Sequence, residues 1–278
     1  LQEGYHGKCL LVSSLLKLEH PACNPLRWAI YPAYNDNDGW MAGMTFSNTH
    51  PYQYNDFTWA VSPMYSFWHN KFVGQAWAKY DVKLKTEKLD KVRFSLGIKS
   101  FDMDYNNKFE YARQYVKVSP SVQWFFSHPL VSGVQSSFSV RWLKLSEQEA
   151  NFKQGQFIGL VRVKSNIFQM AYDWERDKTL SNSSFSMVAE YQGYSKVDQY
   201  IKFTGTGKHQ WMYKSNKYIG IRLFAGGFIL NTQRKVNSFQ NQLTHGSLAL
   251  IQHGFNDYTY EEYFLARQSQ NGFQDRQV

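Results

Sequence analysis

"FTWAVSPMYSFWHNKFVGQAWAKYDVKLK" spans residues 57–85. From Phe72 to Leu84 the even positions read Phe72, Gly74, Ala76, Ala78, Tyr80, Val82 and Leu84. The odd positions include Lys71, Gln75, Lys79, Asp81, Lys83 and Lys85. A period of two is the mark of a β-strand with one apolar and one polar face. If the apolar face meets a protein core, the chain is an ordinary soluble β-protein. If it meets lipid, the strand is a stave of a membrane barrel.

The same period recurs on both sides of this stretch. Val92, Phe94, Leu96 and Ile98 alternate with Lys91, Arg93, Ser95 and Lys99. Val116, Val118, Val122, Trp124 and Phe126 alternate with Arg113, Lys117, Ser121 and Gln123. Phe168, Met170, Tyr172 and Trp174 alternate with Gln169, Asp173, Glu175 and Asp177. Further strands are expected at 26–34, 40–48, 57–67, 134–145, 157–165, 184–194, 196–204 and 217–230, about a dozen in all. Turn-forming clusters such as "NDNDG" (35–39), "HNK" (69–71) and "DKTLSN" (177–182) separate them. Only residues 9–18 hint at a helical period. Pro63 and Pro120 lack a ladder donor and so suggest edges, bulges or strand ends.

Strand starts fall roughly 15–25 residues apart, against about 8–12 in a β-sandwich. Many strands are ten residues or longer, the length that crosses a bilayer when tilted. The expected fold is therefore all-β, a transmembrane antiparallel up-and-down β-barrel of about a dozen strands, with residues 26–278 as the barrel and 1–25 as an N-terminal linker. Phe72, Ala76, Tyr80, Val82, Leu84, Val92, Phe94, Leu96 and Ile98 then face lipid. Lys79, Lys83, Arg93, Lys99, Arg113 and Lys117 face the lumen. Arg93, Lys99, Arg113 and Lys117, together with Arg141, are expected to form an ion-pair network with Asp173, Glu175 and Asp177.

Composition fits this without requiring it. Aromatics make up 18% of the 278 residues, enough for interfacial girdles. A mean hydropathy of −0.53 is what a polar lumen and loops produce in a barrel. The longest apolar run, "CLLVSSLLKL" (9–18), is too short and polar to cross as a helix and lacks the marks of a signal peptide; any export signal is expected outside the given sequence. The net charge of +9 comes from bases spread along the chain, with no nucleic-acid motif, so nucleic acid is not an expected partner. Cys9 and Cys23 leave a disulfide and two thiols both open.

Chemical motifs are sparse. The Asn35, Asp38, Gly39 turn could suggest calcium, but the twelfth position of such a loop is Thr45, so a strand-connecting turn is expected. The eight histidines fall in expected turns or loops without His-x-His spacing, and no metal or cofactor is expected. No Gly-x-Ser-x-Gly elbow occurs.

"IYPAYNDNDGWMAGMTFSN" (30–48) resembles the start of the C-terminal outer-membrane barrel of Bacteroidetes-type gluzincin-like metallopeptidases, within the BamA-related superfamily. The shared features are Pro32, Tyr34, Asn35, Asp38, Gly39, Met41, Gly43 and Met44. "SPMYSFWHNKFVGQAWAKY" (62–80) looks like the next hairpin, and "IGIRLFAGGFI" (219–229) and "EEYFLARQSQNGF" (261–273) look like later pieces. The resemblance implies a membrane anchor or a subunit of a larger outer-membrane complex, in contact with outer-membrane lipid and lipopolysaccharide. No His-Glu-x-x-His occurs, so no enzymatic activity is expected of this chain itself. Arg267 and the Gly272–Phe273 pair are not adjacent as in the superfamily's loop motif, and the final "NGFQDRQV" suggests that the last strands are missing. A transport or assembly barrel and a soluble carbohydrate binder are the alternatives.

Overall fold

The computed structural model describes residues 10–14, 24–35, 37–49, 55–84, 86–106, 111–128, 133–153, 156–193, 199–215 and 217–232. Cys9, Cys23 and the 261–273 segment lie outside the described residues. The described chain is one sheet of twelve strands in sequence order. These are β1 (Leu10–Ser14), β2 (Asn24–Asn35), β3 (Gly39–Ser47), β4 (Phe57–Ser66), β5 (Lys71–Lys83), β6 (Leu89–Asn106), β7 (Tyr111–Phe126), β8 (Val134–Lys153), β9 (Gln156–Lys178), β10 (Ser181–Gly193), β11 (Gln199–Lys214) and β12 (Lys217–Asn231). β2 to β12 form an antiparallel up-and-down meander, which short turns between long strands dictate. β1 joins β2 in parallel, Leu10 beside Asn24, so the 9–18 run is a strand at its centre and not a helix. Among the described residues β1 and β12 do not pair, and the sheet is open.

Several boundaries differ from the sequence reading. Residues 157–165 and 168–177 are one strand of 23 residues, β9, because Asn166 and Ile167 continue the alternation and supply no turn. β8 runs on to Lys153 and β11 to Lys214. The β8–β9 hairpin consequently outruns its neighbours: β7 pairs β8 only as far as Tyr115 and Glu147, and β10 pairs β9 only as far as Gln192 and Ile167.

Pro63 and Pro120 are not at strand ends. Each sits mid-strand and interrupts the ladder on one side. Between β3 and β4 the pairing skips from Gly43–Met64 to Phe46–Val61, and between β7 and β8 from Val118–Lys144 to Ser121–Arg141. On their other sides the ladders are continuous, Pro63 facing Gly74 and Pro120 facing Leu96. Gly74 has φ +144°, and a Cβ there would lie 2.3 Å from the Ser62 carbonyl oxygen. Gly74→Ala is therefore expected to cost at least about 2 kcal/mol, from backbone strain plus the displacement of β4. The shift of the urea midpoint measures it.

Burial is inverted relative to a soluble sheet. Fifteen polar or charged residues are buried against eleven hydrophobic ones, while 35 large hydrophobic side chains are exposed among the described residues. The polar side is the more buried of the two. At one end that side is closed by an apolar layer of Met41, Met64, Val73, Phe101, Tyr115, Leu143, Leu145 and Ile167, drawn from β3 to β9.

Candidate functional site

The outward face carries the alternating apolar positions. Phe72 is 75% exposed and Phe94 47%, and Tyr80, Leu84, Leu96 and Ile98 are exposed with them. Ala76 and Val82 share this face, half-buried between larger neighbours. Val92 lies on this face too, at 9% exposure between Val82 and Trp124 on the adjacent strands. Cross-strand rows stay apolar over long distances. One runs Phe57, Tyr80, Phe94, Val122, Val140, Met170, Ala189, Phe203 from β4 to β11.

The inner face carries the expected bases. Lys117 is 3% exposed, Arg113 is also buried, and Arg93 and Lys99 are half-buried. Lys79 and Lys83 lie on the same face but are exposed. Lys79 Nζ sits 4.9 Å from the centre of the Trp77 ring, and Lys83 pairs with Asp56 at 2.9 Å. The acids that meet the inner bases are not the ones expected. Arg93 makes a bidentate contact with Asp81, Nε at 2.6 Å and Nη2 at 2.8 Å, with Lys91 at 3.3 Å from the same carboxylate. Arg141 Nε donates to Gln169 at 2.9 Å, Gln169 donates to Glu190, and Glu190 also accepts from the Tyr200 hydroxyl and lies 3.5 Å from Lys202. Glu190 is 2% exposed. Asp173 instead accepts from Ser186 at 2.7 Å, and Asp173 and Glu175 line a hollow of about 500 Å³ with Ser184, Lys208 and Arg222.

At the hairpin tips, local chemistry builds a second cluster. Asn35 Oδ1 accepts from the backbone N–H of Asn37 at 2.9 Å and of Asp38 at 2.6 Å, which folds the β2–β3 turn. Gly39 continues it at φ +69°, and a Cβ there would stand 2.3 Å from the Trp68 ring of the β4–β5 turn. The two tips are tied by Ser66 Oγ donating to the Asp38 carbonyl at 2.6 Å and His69 Nε2 donating to the Asn37 carbonyl at 2.8 Å. Asp102 on β6 accepts from Lys71 and, through its backbone N–H, faces the Asp38 carboxylate at 3.3 Å. Burial first, and then the negative charge of Asp102, pushes the Asp38 carboxyl from 3.8 up to about 7. The turn motif thus holds a buried acid inclined to keep its proton.

A carboxyl whose pKa rises on folding holds a proton that the unfolded chain has already released between about pH 4 and 7. The folded state is favoured fully below that window and loses stability as pH climbs through it, by at most about 4 kcal/mol. Asp38→Asn is expected to flatten this dependence. Urea midpoints measured across the window check it; an unchanged slope would place the titration elsewhere.

Among the described residues no group of three His, Cys, Asp or Glu is placed to hold a metal. His209 lies within β11, not in a loop, and its Nδ1 meets Ser183 Oγ at 2.6 Å. No family model, curated protein or solved structure matches the chain.

Proposed function

We propose that this chain is an integral outer-membrane β-barrel that serves as a membrane anchor or as a subunit of a larger outer-membrane complex. The inversion of burial carries this reading. Soluble monomers rarely expose contiguous apolar patches beyond a few hundred Å², and this sheet presents a whole face of Phe, Trp, Tyr, Leu, Ile and Met while enclosing Lys, Arg and Glu. Lipid is the solvent that suits such a face.

β9 supports the reading as a ruler. Its outward positions Phe168, Met170, Tyr172 and Trp174 are bounded by Asn166 and Arg176, ten positions apart. That is about 34 Å along the strand, or about 26 Å along the normal at a tilt near 40°, close to the height of the apolar band of an outer-membrane barrel. Tyr34, Trp40, Tyr65, Phe67, Trp68 and Phe72 gather at the edge nearest the β2–β3 and β4–β5 tips, with ring centres 5.3–6.4 Å apart, and resemble an interfacial aromatic girdle. The likeness of residues 30–48 to the opening of a known barrel points the same way.

Anchoring is favoured over transport because the apolar layer around Phe101 and Tyr115 lies on the polar side, where it would obstruct a lumen. The hollow beside Asp173 keeps solute passage as the second reading. Two measurements test both. An anchor barrel stays in detergent or bilayer, migrates differently on a gel before and after boiling, and gives no stable single-channel conductance. Solubility without detergent and boiling-independent migration would sink the barrel reading, and stable conductance would favour transport.

A further inference from the structure

We propose that Lys144, Arg162 and Lys164 form a site for the phosphate headgroup of an anionic membrane lipid, on the outward face where the β8–β9 hairpin leaves the apolar band. The site rests on the membrane reading above and adds to it a position and a ligand chemistry.

The placement follows from the register. Lys144 pairs with Asn166, Ser146 with Lys164 and Gln148 with Arg162, so the three cations occupy successive outward rows on two adjacent strands. Diagonal neighbours on one face of such a pair stand about 7–8 Å apart, within the joint reach of Lys and Arg side chains around one phosphate. All three side chains are exposed. The row immediately before them is Trp142 with Phe168, the last apolar pair of the band. Lys144 Nζ lies 5.6 Å from the Trp142 ring centre, which holds its ammonium against the edge of that band. Trp rings mark the headgroup level of a bilayer.

The surroundings leave the positive charge uncompensated among the described residues of this face. The neighbouring outward positions Ser146, Gln148, Asn166 and, on β7, Gln114 are neutral. The acids of the same hairpin, Glu147 and Glu149, pair with Val163 and Val161 on the opposite face. A polyanion such as nucleic acid has no access to a row seated at a membrane surface, whereas a lipid phosphate arrives there with its acyl chains lying along Phe168 and Met170.

The test uses the full chain in phosphatidylcholine vesicles carrying a trace of spin-labelled phosphatidylglycerol or spin-labelled phosphatidylcholine, with the motionally restricted fraction read by electron paramagnetic resonance. The wild-type chain is expected to restrict phosphatidylglycerol preferentially, and each of Lys144→Gln, Arg162→Gln and Lys164→Gln is expected to lower that preference about fivefold. Lys144→Arg and Lys164→Arg keep it. Boiling-dependent gel migration verifies that each variant is folded, and the exposed single variants carry the test if the triple variant does not assemble. Equal restriction of both labels by the wild-type chain, or a preference that survives all three substitutions, would overturn the site while leaving the barrel standing. Restriction of neither label would overturn the membrane reading itself.

Discussion

Arginine at position 94 is expected to abolish assembly of the chain into a bilayer. Phe94 lies at the middle of the outward apolar span of β6, with Tyr80 and Val122 beside it and Val92, Leu96 and Ile98 along its strand. A guanidinium at mid-bilayer on the lipid face of a barrel costs about 2–4 kcal/mol, falling towards zero near the interfaces. The ratio of inserted to uninserted protein, read from the boiling-sensitive gel band after dilution into vesicles, should drop by about 30- to 1,000-fold. Phe94→Leu should insert as the wild-type chain does. Normal insertion of Phe94→Arg would mean that this face does not meet lipid.

Glu190→Ala is the second large effect, on the opposite face. Glu190 receives hydrogen bonds from Gln169 and Tyr200 and lies beside Lys202, whose side chain is 4% exposed. Removing one partner of a buried charged pair costs about 3–5 kcal/mol, because the other charge keeps its desolvation penalty. The loss should appear in the unfolding midpoint in detergent. Lys202→Met in the same chain should recover part of it, since replacing both members of a buried pair by apolar groups is often close to neutral. A double variant no more stable than Glu190→Ala would show that Lys202 is satisfied by other groups.

The strand content and the two-faced character of the sheet were legible in the sequence because both are local. Alternation at 71–85, 91–99 and 112–126 needs no tertiary information; β6 and β7 contain the last two stretches and β5 covers the first as far as Lys83. Length was harder. Ser165 and Asn166 are turn-type residues at mid-strand, so 157–165 and 168–177 read as two strands where β9 runs straight through. Partners were harder again. Asp173, Glu175 and Asp177 lie near the inner bases in sequence pattern, but register decides contacts, and it brings Asp81 to Arg93 and Glu190 to Lys202. Tyr115 is fully buried on the face that also carries Arg113 and Lys117, so an apolar layer inside the polar side could not be read from β7 alone. The turn at Asn35–Gly39 was readable in its backbone chemistry. Its buried acid was not, because Trp68, Ser66 and Asp102 arrive from other hairpins.

The two mid-strand prolines set where the sheet parts under mechanical load. Pro63 and Pro120 each remove a donor from one ladder, leaving the β3–β4 and β7–β8 boundaries as seams around a four-strand block from β4 to β7 whose internal ladders run unbroken past both prolines. Contiguous ladders tend to open as cooperative units. On the membrane reading proposed above, a sheet drawn out of a bilayer from the β12 side would peel hairpin by hairpin down to the β7–β8 seam, then yield the block in a single longer step. A force trace would therefore carry two tear lines at the positions of these prolines, and restoring the missing donors would merge the block with its neighbours.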